Sequence, residues 1–418
     1  MSRAPVIGFA GLTHLGLVSA AAAKSKGFDV IACDPDVDLI GRLRAGELPV
    51  NEPDLPELAR GLAYTDEVAR LGTCDVVYVA PDVATDEAGD SDLTAIGGLL
   101  DLVEPVLRGE TVLVVLSQVP PGFTRARGRA AGPLFYQVET LIFGRAVERA
   151  TRPERFIVGC AEPDAPLPEA YRTFLDAFGC PVLAMRYESA ELAKISINMC
   201  LVGSIAVANT MAGVCEATGA DWSEIVPALR LDARIGPKAY LTPGLGIAGG
   251  NLERDLATVR RLAAAHGADA GIVDAWLTNS RHRRDWALRT LHAEVLATDP
   301  DPLIAVLGLA YKQDTASIRN SPSLDLIAAL HPYSLRLYDP LVPASAAGHP
   351  RAFAANSALE ACEGVDAVVI MTPWAEFSEI DAETLAGRVV IDPYGVLERN
   401  VHERYFTLGT RMSSCSNT

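Results

Sequence analysis

The chain has 418 residues, 49% hydrophobic and 21% charged, an ordinary globular composition with length for roughly two to four domains. Its 36 Lys and Arg against 53 Asp and Glu leave a net charge of −17, which argues against tracking a nucleic-acid backbone or an anionic membrane surface. Eight scattered cysteines with no CxxC pair speak against a disulfide scaffold and a zinc site; they read as small buried hydrophobes in a reducing compartment, and no metal is expected.

In chain order, Val6–Ala10 reads as a strand, Leu15–Lys26 as an Ala-rich helix and Phe28–Cys33 as a second strand, with Val76–Ala80 and Thr111–Leu116 repeating the theme. Short apolar runs separated by helices predict a doubly wound parallel sheet covered on both faces. Ser189–Ala217 is continuously helical and apolar nearly all round, which predicts burial between domains or at a subunit interface. A Gly/Pro-rich loop follows over Arg234–Gly250, then helices over Leu252–His266 and Gly271–Ala297. After Asp299–Pro302, strands return at Leu303–Leu307, Ser334–Tyr338, Ala367–Met371 and Val389–Ile391. The order is α/β, helical middle, α/β. No segment reaches the ~18 apolar residues of a membrane span, and the apolar start lacks a basic leader, so a cytoplasmic location is expected.

Gly11-Leu-Thr-His-Leu-Gly16, between the first strand and helix, departs from GxGxxG at its middle position, Thr13. The first glycine permits the tight turn, the second lets backbone approach a pyrophosphate, and the third allows helix–strand packing. Thr13, His14 and Leu15 line this turn, and the threonine crowds the phosphate side while offering a hydroxyl. Asp34, about 20 residues on, suits a ribose 2′-hydroxyl and repels a 2′-phosphate, which favours NAD over NADP. An unoccupied strand–turn–helix is the plainer alternative.

Six further blocks occur in order: Leu43–Pro53, Ser117–Thr124, Glu191–Asn198, Arg234-Ile-Gly-Pro, Pro243–Asp255 and Leu307–Lys312. Together they resemble the UDP-glucose/GDP-mannose dehydrogenase family over residues 5–400. The resemblance implies an α/β fold of two Rossmann-like doubly wound parallel-sheet domains joined by a helical middle with a long central helix. The implied division is an NAD-binding domain at 1–187, a helical dimerisation domain at 188–298, a nucleotide-sugar-binding domain at 299–409 and a disordered tail at 410–418. NAD, a nucleotide-sugar substrate (a UDP-hexose is favoured) and a homodimer are implied partners; no nucleic acid or membrane is expected. Family members oxidise a primary alcohol twice, to the acid.

The chain departs from the family around the reacting centre. The family loop carries a cysteine that attacks the intermediate aldehyde, and Asn251 stands there instead. A carboxamide is not a nucleophile of that kind, which closes the thioester route. By the same resemblance Lys194 and Asn198, one helical turn apart, hold the reacting oxygen and its water, and Asp255 supplies a carboxylate. Glu139 is implied as a base or water-holder, while Phe143 replaces a second acid and Gln118 a threonine that positions water. Arg319 is implied near the cofactor, Lys312 near the substrate phosphates, and Arg234 at the partner subunit's sugar site. Gly246 and Gly249 would let backbone approach the sugar. Asp392-Pro-Tyr394 lacks the family's late arginine.

Four readings follow. The enzyme stops at the two-electron carbonyl; it recycles the hydride on retained NAD as an epimerase; it forms the acid through an aldehyde hydrate; or it is a noncatalytic NAD- or nucleotide-sugar-binding subunit. Product stoichiometry separates them.

Overall fold

The computed structural model describes residues 3–84, 91–398 and 404–410, and the chain divides into two compact units at Ile197 and Asn198. Residues 411–418 of the expected disordered tail lie outside the described residues.

The first unit is built on eight strands: β1 (Ile7–Ala10), β2 (Val30–Cys33), β3 (Ala63–Thr65), β4 (Val76–Val79), β5 (Val112–Val115), β6 (Leu134–Gln137), β7 (Phe156–Cys160) and β8 (Val182–Arg186). Their order is β3-β2-β1-β4-β5-β6-β7-β8. Every residue of β1, β4 and β5 is buried, because these central strands are covered on both faces; that is why they read as unbroken apolar runs. The expected all-parallel sheet needs one correction, since β6 and β7 pair antiparallel. Antiparallel neighbours need no crossover to the opposite end of the sheet. The connection, which includes the short helix Ala146–Thr151, therefore returns the chain in the reverse sense.

The second unit carries β9 (Leu303–Leu307), β10 (Ser334–Tyr338), β11 (Ala352–Ala354), β12 (Ala367–Ile370), β13 (Val389–Ile391) and β14 (Tyr405–Phe406). All its pairings are parallel, in the order β11-β10-β9-β12-β13-β14. This repeats the order of the first six strands of the other sheet. The two first turns also match: Gly11 (φ 88°) donates its N–H to Cys33 O, and Gly308 (φ 91°) donates its N–H to Tyr338 O. Both glycines lie where the strand order reverses, the place at which such sheets open a crevice for ligands.

The predicted helix over Gly271–Ala297 is broken at Asp285 into Gly271–Arg284, Trp286–Leu291 and a π-helical turn, His292–Leu296. The central helix runs from Tyr187 to Thr218. It is long and apolar enough to cross a membrane by composition, with a mean hydropathy of 1.5 over 18 residues, which corrects the expectation that no segment reaches that length. Its serines, threonines and asparagines interrupt the apolar run without lowering the mean below that of a span. Glu191 and Asn209 on this helix are nevertheless buried, accepting hydrogen bonds from Thr124 N and Gly244 N, although only a third of the apolar window is covered.

Candidate functional site

In the first unit the helix His14–Ser25 starts directly after the Gly11 turn. A Cβ on Gly16 would stand 1.8 Å from Gly11 O, and one on Gly11 would stand 2.7 Å from Pro81 N. Backbone thus occupies the space where side chains would go, and the first and third glycines are required as read. Asp34, buried at the end of β2, accepts from Leu12 N at 2.7 Å and Asp36 N at 3.0 Å. Its counterpart in the second unit, Asp339, accepts from five donors: Leu309 N, Ala310 N, Leu341 N, Val342 N and Trp374 Nε1. Five donors saturate a carboxylate, whereas two leave lone pairs for a ribose hydroxyl. The first turn therefore fits the adenosine half of a dinucleotide and the second does not.

His14 lies buried, with Nε2 2.9 Å from Glu52 Oε1 and its ring stacked on Phe143 at 4.3 Å. Glu52, 2% exposed, also accepts from Gly144 N and Ala146 N, both at 3.1 Å. His14 and Phe143 are thus one packed pair. Glu52 ties the Gly11–Gly16 turn to the 139–146 loop. Sequence reading missed Glu52, although it stands inside the Leu43–Pro53 block, because its partners lie 38 and 92 residues away.

That loop presents Glu139, whose Oε1 pairs with Lys194 Nζ at 2.7 Å while Oε2 accepts from Leu141 N. Both side chains are mostly enclosed, at 17% and 13% exposure. One turn earlier on the central helix, Glu191 accepts from Gly122 N at 2.6 Å and Thr124 N at 2.9 Å, fastening the helix to the loop that bears Gln118. Burial pushes the Glu191 carboxyl up from its usual range.

In the second unit Asn198 Nδ2 donates to Asp255 Oδ2 at 2.5 Å, and Arg254 Nε donates to Asp255 Oδ1 at 3.2 Å, all three residues being buried. Arg254 went unread because adjacent helical residues ordinarily face about 100° apart. Asn251 is the exposed first residue of the helix Asn251–His266. Burial pushes the thiols of Cys33, Cys74 and Cys362 up to about 12, which leaves them inert. Cys200 is exposed, but it follows Asn198 by two residues, about 200° round the helix from the face that meets Asp255.

The glycines before Asn251 have a packing reason of their own. A Cβ on Gly246 (φ 83°) would stand 2.5 Å from Ser280 O, one on Gly249 2.9 Å from Tyr311, and one on Gly250 2.9 Å from the Arg319 side chain. The loop closes on Ser280, Tyr311 and Arg319, which gives these glycines a packing reason within the unit. Lys312 Nζ lies 5.7 Å over the Tyr311 ring. Arg234 stands exposed on a turn, gripped by Asp232 at 2.7 and 3.0 Å. Asp392 is buried and accepts from Tyr405 Oη and Leu397 N, so it braces β13 and β14.

Three family models match the chain: the NAD binding domain of the UDP-glucose/GDP-mannose dehydrogenase family over residues 6–174, its central domain over 188–281 and its UDP binding domain over 305–399. The UDP-glucose 6-dehydrogenase of Pseudomonas aeruginosa is 31% identical over 407 residues, covering 90% of this chain and 89% of that protein. UDP-glucose 6-dehydrogenase TuaD of Bacillus subtilis is 28% identical over 391 residues, covering 89% and 84%. Among solved structures, a UDP-glucose dehydrogenase from Pyrobaculum islandicum shares the fold with a TM-score of 0.85 at 24% identity, covering 97% of each chain.

Proposed function

This chain belongs to the UDP-glucose/GDP-mannose dehydrogenase family, and we propose that it takes one hydride from a nucleotide-sugar alcohol and releases the carbonyl. It is an NAD-dependent oxidoreductase of nucleotide sugars; the proposal concerns where oxidation ends. The observation that carries it is Asn251, exposed at the start of its helix, at the position that the sequence resemblance gives to the family's thiol.

NAD, when bound, supplies the hydride acceptor. The chain's own residues handle the proton. Lys194 holds a positive charge where an alkoxide forms, and Glu139, paired with it at 2.7 Å, takes the hydroxyl proton. The hydrogen bond from Asn198 orients Asp255 beside the Arg254 cation. The balance is an alcohol losing a hydride to NAD and a proton to the carboxylate. A second oxidation in the family manner begins with a covalent thiohemiacetal, which a carboxamide does not form.

A UDP-hexose is the favoured substrate, supported by the match to the family's UDP binding domain and by relatives named UDP-glucose 6-dehydrogenases. Incubation with NAD and a panel of UDP-, GDP-, CDP- and dTDP-sugars should give one NADH per sugar and a product lighter by two hydrogens. Two NADH with an acid would replace this reading with the hydrate route. An isomer of unchanged mass would replace it with epimerisation, and sugar binding without turnover would leave a binding subunit.

The same reading implies a homodimer through the helical middle. Supporting it, Val207, Met211 and Val214 are exposed at helical spacing on the central helix, an apolar stripe that a second copy would cover. Native mass spectrometry should give twice the chain mass; a single-chain mass at assay concentration would reject the dimer.

A further inference from the structure

The N-terminus of a helix that follows such a turn is where a dinucleotide's pyrophosphate binds, on N–H groups that lack intrahelical partners. In this chain a carboxylate of its own already lies there. His14 N donates to Asp82 Oδ2 at 3.2 Å, and the Leu15 N–H donates to the same side chain. In return, Asp82 N donates at 2.8 Å to Oγ1 of Thr13, the residue at the cap position of the helix. The pair forms a reciprocal capping box, assembled between residues far apart in sequence.

This arrangement gives Thr13 a purpose that the turn alone does not. A glycine there would leave the backbone open to phosphate and would have no hydroxyl to hold Asp82. The threonine instead recruits the 81–84 segment onto the helix end. A carboxylate and a pyrophosphate require the same N–H donors and repel each other, so only one occupies them at a time. The His14 imidazole does not relieve that repulsion by turning to the phosphate, since Glu52 and Phe143 hold it.

We propose that Thr13 and Asp82 form a latch over the phosphate site, and that NAD binds only as the Asp82 carboxylate leaves the N–H groups of His14 and Leu15. The latch sets cofactor affinity without touching the reacting carbon. It rests on the reading of this turn as the NAD site.

The test is equilibrium binding of NADH, followed by its fluorescence, to the full chain and to its Asp82→Asn and Thr13→Gly variants, with adenosine as a ligand that has base and ribose but no phosphate. Asp82→Asn keeps the shape of the side chain and a capping oxygen, so the helix end stays closed while the charge goes. NADH affinity should tighten about tenfold in Asp82→Asn, or ~1.4 kcal/mol, with adenosine affinity unchanged. Thr13→Gly should tighten NADH in the same direction by releasing Asp82. If the unaltered chain binds NADH and Asp82→Asn binds it no better, the latch is overturned and the NAD reading stands. If adenosine tightens as much as NADH, the effect is general to the turn and the latch is again overturned. If none of the three proteins binds NADH, both the latch and the NAD reading fall.

Discussion

Asn251→Cys is expected to raise the NADH yield from one per sugar to two and to change the product from carbonyl to acid. The residue begins the helix Asn251–His266, so a thiol there would sit at the positive end of the helix dipole, which favours thiolate. It is exposed, which leaves a thiolate accessible to substrate. The carbonyl carbon and the thiol would form a thiohemiacetal, a second hydride would pass to a second NAD, and water would cleave the resulting thioester to the acid and free thiol. The measurement is NADH counted against sugar consumed, with the mass of the protein taken during a single turnover to catch the thioester. A yield that stays at one would place the block at Phe143 and Gln118, where an acid and a threonine of the family are missing, and would remove Asn251 as its cause.

Which parts of this site were legible in the sequence follows from the distance over which each is specified. Gly11, Gly16 and Asp34 are set by spacing along one strand–turn–helix–strand unit, and the structure puts each where that spacing requires. Lys194, Asn198 and Asp255 were found inside ordered blocks. Their pairings were not, since Lys194 meets Glu139 through the packing of a loop on a helix, and nothing local to either residue records it. Glu52 and Asp82 were missed for the same reason. His14 meets Glu52 across 38 residues and Asp82 across 68.

The fold shows the same division. Central strands such as β1, β4, β5 and β12 are buried at every position and announce themselves as apolar runs. The edge strands β8 and β11 are mostly exposed and β11 and β14 have only three and two residues; their short apolar stretches, such as Val182–Met185, do not by themselves mark a strand. The reversal between β6 and β7 is a property of the connection and not of either strand. Asp34 and Asp339 each precede a proline, but only Asp34 was read from the sequence. The count of donors differs between them: two on Asp34 among the described residues, and five on Asp339, which is fully engaged in holding its own turn.

Lys194→Met should lower kcat by about 10³-fold, or ~4 kcal/mol of transition-state stabilisation, while nucleotide-sugar binding weakens far less. Methionine keeps the length and apolar stem of the lysine, so the central helix retains its packing and loses the ammonium. The charge matters most once the hydroxyl proton has begun to leave, so its loss should appear in kcat more than in the dissociation constant. Glu139→Gln tests the other half of the 2.7 Å pair. It removes the proton acceptor but leaves the cation, and a fall of about 10²-fold is expected, the usual scale for a positioned base. The two losses should not add, because each substitution breaks the same ion pair and the second has less left to remove. If Lys194→Met keeps more than a tenth of the parent rate, Lys194 serves only to hold Glu139 in its loop.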